Sequence, residues 1–189
     1  MKTRLTIATA LILALSACGS PEEAEPADKT AAPAEAAAQA PNPSTPQGFV
    51  AMAASSDMYE IEAGKLAQQM GTSEAVKEFG AMMEKDHTTS SDKLKAAVAE
   101  AGDGLAVPAA MLPKHQTQLD ALRNAGADFD TLYLQQQQAA HQEALNLLNS
   151  VSQAGTVAPL KAFATEASPV VQAHLEHVLE LAEAAGGGE

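Results

Sequence analysis

Met82-Met83-Glu84-Lys85-Asp86-His87 is the stretch around which the rest of the chain is arranged. Val76, Phe79, Met83, His87, Leu94 and Val98 follow one another at steps of three, four and seven, so all six share one face of a helix. Thr72-Ser73, with Glu74 in the first turn, marks where that helix starts, and Gly102 marks where it stops. His87 stands near the centre of the apolar stripe, with Asp86 one residue and Glu84 three residues before it.

Upstream, a second helix is predicted from Thr45-Pro46, where Thr can cap and Pro suits the first turn, to Gly71. Phe49, Met52, Ser56, Tyr59, Ala63, Leu66 and Met70 share its face. Downstream, residues 102–127 form a long connection that carries a short amphipathic helix from about Pro113 to Asn124. A further helix runs from Asp128 to Ala154, with Gly155 past its end. It has Phe129, Tyr133, Ala140, Ala144, Leu147 and Val151 on its apolar face, and Asp130, Gln137 and His141 along one shoulder. The last runs from about Thr156 to Ala185 on a stripe of Leu160, Phe163, Ala167, Val171, His174, Val178 and Leu181, and Pro169 should bend it. Four long helices, three links and one long link predict an all-α four-helix bundle over 46–185, its crossover carrying a short extra helix, with a tail at 186–189. The composition agrees: no Trp, two Tyr, four Phe and abundant Ala, Leu, Gln and Glu give strands little support.

Glu60, His87, His141 and His174 all fall near the midpoints of their helices, and midpoints of similar-length helices meet at one height whichever way each helix runs. Imidazole and carboxylate together suit one transition-metal ion, with iron, zinc, manganese and copper all compatible. Glu84, Asp86, Asp130 and Tyr133 are the side chains expected around those ligands. The competing reading is a hydrogen-bonded polar layer that fixes helix register without any metal. A dinuclear carboxylate centre is not predicted: Glu84-Lys85-Asp86-His87 supplies Glu-x-x-His once, and neither His141 nor His174 has a Glu three residues before it. The methionines on the stripes read as core filling, His115 as a surface residue, and His177 and Glu180 as a solvated edge. No Gly-rich phosphate loop and no Ser or Cys nucleophile with a placed base is evident.

The N-terminus reads as an address. Lys2 and Arg4 precede an apolar run from Leu5 to Leu15 that is too short to span a bilayer, the pattern of a secretory signal over residues 1–17. Leu15-Ser16-Ala17-Cys18 resembles the lipobox of bacterial lipoproteins, which implies cleavage before Cys18 and a lipid anchor on it. Gly19 is not the aspartate that resembles an inner-membrane retention signal, so the expected place is the outer membrane, facing the periplasm. Residues 18–45, with Pro21, Pro26, Pro33, Pro41 and Pro43 among Ala and Glu, read as a disordered tether. The net charge is −13 and becomes −15 (9 basic against 24 acidic) once Lys2 and Arg4 are cleaved away. Nucleic acid is thereby excluded as an electrostatic partner, and so is attraction to anionic lipid headgroups. The membrane contact expected is the anchor itself, with an envelope protein as the other candidate partner.

Several blocks together resemble a known family: Phe49-Val50, Tyr59 through Ala67, Met83 through His87, Phe129 through Tyr133, Ala140-His141-Gln142 and Pro169 through His174. They are similar, in order and over roughly residues 47–182, to the DUF4142 family. The resemblance implies an exported bacterial domain of ferritin-like helical-bundle type, and it brings no established activity. The family positions matching Glu60, Asp86, His87, Asp130, His141 and His174 coincide with the layer derived from spacing. Ser168 departs from the Leu usual before the proline, which is expected to loosen packing there. Three functions stay open: a tethered binding or envelope-stress module with one metal ion in its polar layer, a metal-dependent periplasmic redox enzyme, and a purely structural envelope protein. The first is favoured, and catalysis is not the leading expectation.

Overall fold

The computed structural model describes residues 40–102 and 104–186. The signal segment, Cys18 and most of the tether lie outside the described residues. The elements are α1 (Pro46–Met70), α2 (Glu74–Ala101), α3 (Pro113–Arg123), a 3-10 turn (Gly126–Asp128), α4 (Phe129–Ala154) and α5 (Ala158–Gly186). Among the described residues there is no strand, and no helix is long and apolar enough to cross a membrane.

Local chemistry sets the ends. The Thr45 hydroxyl accepts the Gly48 N–H at 3.0 Å, with Pro46 in the first turn of α1. Ser73 makes no side-chain cap at α2. That service comes from another helix: the Asp130 carboxylate accepts from the Thr72 and Ser73 backbone amides and from the Thr72 hydroxyl. Burial pushes the Asp130 carboxyl up, but the Thr72 hydroxyl, the Thr72 and Ser73 amides and the Lys77 charge outweigh it and hold the group below the ordinary aspartate range.

Short turns at 71–73 and 155–157 make α1–α2 and α4–α5 antiparallel pairs. The pairs close into a bundle through α2 against α5 and α1 against α4. Since Asp130 at the start of α4 sits on the α1–α2 turn, α2 and α4 run the same way, and the crossover must return along the full length of the bundle. Gln47 pins its beginning to α1 through two bonds with the Ala106 backbone, at 2.8 and 2.9 Å, and α3 then lies on α1 and α4. At Gly64 and Gly80 the α1 and α2 backbones approach so closely that a Cβ on Gly64 would lie 2.5 Å from the Gly80 carbonyl oxygen. The helix α5 is continuous through Pro169. The half-buried Ser168 before it donates its hydroxyl to the Ala164 carbonyl at 2.9 Å.

The apolar core comes in two parts. Toward the α1–α2 turn it holds Ala63, Phe79, Met83, Phe129, Tyr133 and Val178, and toward the other end Phe49, Leu94, Leu148, Leu160, Phe163 and Val171. Between them sits a buried polar belt of Asp57, Glu60, His87, Gln137, His141 and His174.

Candidate metal centre

Three helices each deliver one imidazole to the belt: α2 gives His87, α4 His141 and α5 His174. His87 and His174 lie on their apolar stripes and His141 on the shoulder of its own, and all three side chains are buried. Their ring centroids form a nearly equilateral triangle with sides of 5.7, 5.6 and 5.4 Å. One nitrogen from each ring lies within 4.8 Å of one from each of the others. The second nitrogen of each ring is engaged. His87 Nδ1 is 2.8 Å from Asp57 Oδ1, His141 Nδ1 is 2.9 Å from the Gln137 carbonyl oxygen, and His174 Nε2 is 3.2 Å from Asp86 Oδ2. A carbonyl oxygen only accepts, so His141 must carry its proton on Nδ1 and present a bare lone pair at Nε2. His87 Nε2, His141 Nε2 and His174 Nδ1 are buried with no hydrogen-bond partner among the described residues.

The electrostatics of the belt are uneven. Burial pushes the His141 ring down to about 3, and the neighbouring His87 charge adds to that. Burial and His87 likewise lower His174 despite its bond to Asp86. For His87 burial also works downward, but Asp57, by hydrogen bond and by charge, outweighs it with help from Glu60 and Asp86, and the ring lies above its ordinary value. Glu60 is pushed up to about 7, chiefly by burial, against the pull of His87 and of the Gln137 amide that donates to it at 2.6 Å. Two rings are thus held neutral, with lone pairs available at ordinary pH.

The expected residues separate on inspection. His87, His141 and His174 come together. Glu60, expected as a fourth ligand, stays outside that group: one oxygen is taken by Gln137 and the other lies 3.9 Å from His141 Nδ1. Asp86 reaches the cluster through His174. Tyr133 is buried against Phe79 and Phe129, close enough for the Glu60 charge to raise its hydroxyl well above the usual range, after burial itself. Two expectations need correction. Glu84 turns outward to accept from Gln68 at 2.7 Å, because a residue three before His87 on α2 faces the outer edge of α1. Asp130 is occupied at the α1–α2 turn as described, far along α4 from His141. Asp57 was missed. Its signal was present, since it stands three residues before Glu60 and therefore about 60° from it around α1. His115 is also not at the surface. It is buried, with Nδ1 2.6 Å from the Ser55 hydroxyl and its ring stacked on Tyr59. His177 is exposed, as expected, with its ring against the edge of Phe79.

A pocket of about 220 Å³ opens between α2 and α5, with His87, His174 and Asp86 among its lining residues. Lys93 and Glu166 pair across it at 2.5 Å, and Phe163, Ala167, Val170 and Val171 form its α5 wall.

A model of the family described as a domain of unknown function, DUF4142, matches residues 30–181, so the chain belongs to that family. The match begins inside the segment read as a tether. No curated protein and no solved structure matches the chain.

Proposed function

We propose that this member of the DUF4142 family is a binding module that holds one transition-metal ion on His87, His141 and His174. The observation that carries the reading is the set of three buried ring nitrogens without partners, converging from three helices. A buried polar atom left unpaired costs about 1–3 kcal/mol, and three at one point call for a ligand. Each ring is also held from behind by a carboxylate or a carbonyl, the arrangement that orients metal-ligating histidines and raises their basicity. Three imidazoles favour zinc, copper or iron over manganese, which prefers oxygen donors. A second reading, metal-dependent catalysis, draws support from the α2–α5 pocket, since a reaction needs a path from solvent to the ion.

Elemental analysis tests the metal reading. Full-length protein expressed with export and purified without chelator should carry about one equivalent of metal, and the His87→Ala/His141→Ala variant none. Absence of metal from the wild type, even after reconstitution, would leave a structural layer and sink the reading. The lipobox-like Leu15-Ser16-Ala17-Cys18 supports a lipid anchor that holds this module at the periplasmic face of the outer membrane. Fractionation checks it: Cys18→Ala should move the protein from the membrane to the soluble fraction, and an unchanged distribution would remove the anchor from the proposal.

A further inference from the structure

The α2–α5 pocket has two unlike walls, and together they describe a ligand. One part of its lining is the His87 and His174 rings, two of the three that converge, with Asp86 hydrogen-bonded to His174. Along α5 the wall is apolar: Phe163, Ala167, Val170 and Val171. Val170 is 45 % exposed, one of only two large apolar side chains so exposed among the described residues. Such a side chain at a pocket rim gains when something apolar covers it. The charged side chains that line the pocket already have partners. Lys93 is paired with Glu166 and Asp86 is hydrogen-bonded to His174, so no free cation waits for a charged body. A polar donor is wanted only beside His87 and His174, where an ion held by three imidazoles would keep a coordination position for a further ligand.

The geometry points to the α2–α5 pocket as a binding site for a small amphipathic molecule: one aromatic ring or comparable apolar body carrying an anionic oxygen donor, which enters past Val170 and ligates the ion held by His87, His141 and His174. This rests on the metal reading above. The size agrees, since an apolar cavity of roughly 150 Å³ accepts benzene and this pocket offers about 220 Å³, room for a ring plus its donor group. The aromatic face would lie on Ala167 and Val171, with Phe163 available at its edge. Aromatic carboxylates, phenolates and hydroxamates have this form. A carboxylate oxygen adds to the ion as it stands, whereas a phenol or hydroxamic acid releases its hydroxyl proton to solvent as its oxygen adds; no other bond in the ligand breaks.

The test uses full-length protein loaded with cobalt(II), whose visible bands report the coordination of the ion, titrated with benzohydroxamate. Saturable band shifts at constant protein-bound cobalt are expected in the wild type. Val170→Trp, which plugs the rim from an exposed position, and Ala167→Phe, which fills the wall, should each keep about one cobalt and weaken benzohydroxamate by about tenfold or more. Unchanged bands in cobalt-loaded wild type would overturn the pocket and leave the metal reading standing. So would removal of the cobalt by the hydroxamate, or equal affinity in both cobalt-loaded variants. Failure of the wild type to take up cobalt would overturn both.

Discussion

Ser55 and Asp57 stand two residues apart on α1, and each holds a buried histidine, yet the two assemblies have opposite character. Two residues turn a helix by about 200°, so Ser55 faces the crossover helix while Asp57 faces the bundle interior. On the crossover side, the Ser55 hydroxyl accepts the Leu112 N–H at 2.8 Å and is hydrogen-bonded to His115 Nδ1 at 2.6 Å. Tyr59, one turn on, stacks on the ring. No His115 nitrogen is left buried without a partner among the described residues. That assembly is a brace holding α3 to α1. On the interior side, Asp57 engages only one nitrogen of His87, and the other is left bare among two more bare nitrogens. Burial of a histidine therefore says little about its role. What separates brace from candidate site is whether lone pairs are left over and whether they meet.

That contrast can be broken most severely at Asp57. Asp57→Ala removes the hydrogen-bond partner of His87 Nδ1 and leaves that nitrogen buried and unpaired, so a loss of up to about 3 kcal/mol in denaturant unfolding is expected. Metal affinity should also fall by roughly ten- to hundredfold, as for other lost supporting carboxylates. Stability close to wild type would show that Asp57 does not support the layer. Ser55→Ala should cost about 2 kcal/mol, since it strands the Leu112 amide and His115 Nδ1 together, while metal content stays unchanged. Loss of metal in that variant would mean the two assemblies are not independent.

The smallest effect is a pH dependence of the brace. Burial, with the Lys114 charge adding to it and the Glu143 charge and a hydrogen bond to the Ser55 backbone opposing it, pushes His115 down to about 4. As pH falls through the ordinary value near 6.5, the unfolded chain takes up a proton that the folded ring refuses, so this contribution is lost from about pH 6.5 down to about pH 4. Discounted for solvent screening, it is about 1 kcal/mol. His115→Gln should be less acid-sensitive than wild type by that amount in melts at pH 7 and pH 4.5, and parallel acid losses would remove His115 from the account.

Much of the bundle was legible in the chain because its signals are local. The stripe through Val76, Phe79, Met83, His87, Leu94 and Val98 is buried along its whole length, and the ends of α1 and α4 fall within a residue or two of where Thr45-Pro46, Gly71 and Gly155 place them. Periodicity fixes which side chains share a face, and the helix rise fixes their height, so the meeting of His87, His141 and His174 at one level followed from the sequence alone. Their partners did not follow. Glu60 and Asp57 differ by about 60° of azimuth on α1, and only the packing of α1 on α2 selects Asp57 for His87. Asp130 shares a shoulder of α4 with His141, but the axial distance between them sends it to the α1–α2 turn. His115 is buried because the crossover folds back onto α1, a contact sixty positions away in sequence. The chain determines which residues stand on each helix face and at what height. Tertiary structure decides which nitrogen of each ring is engaged, which carboxylate engages it and where a pocket opens, because those depend on helix rotation and crossing, which no single helix encodes.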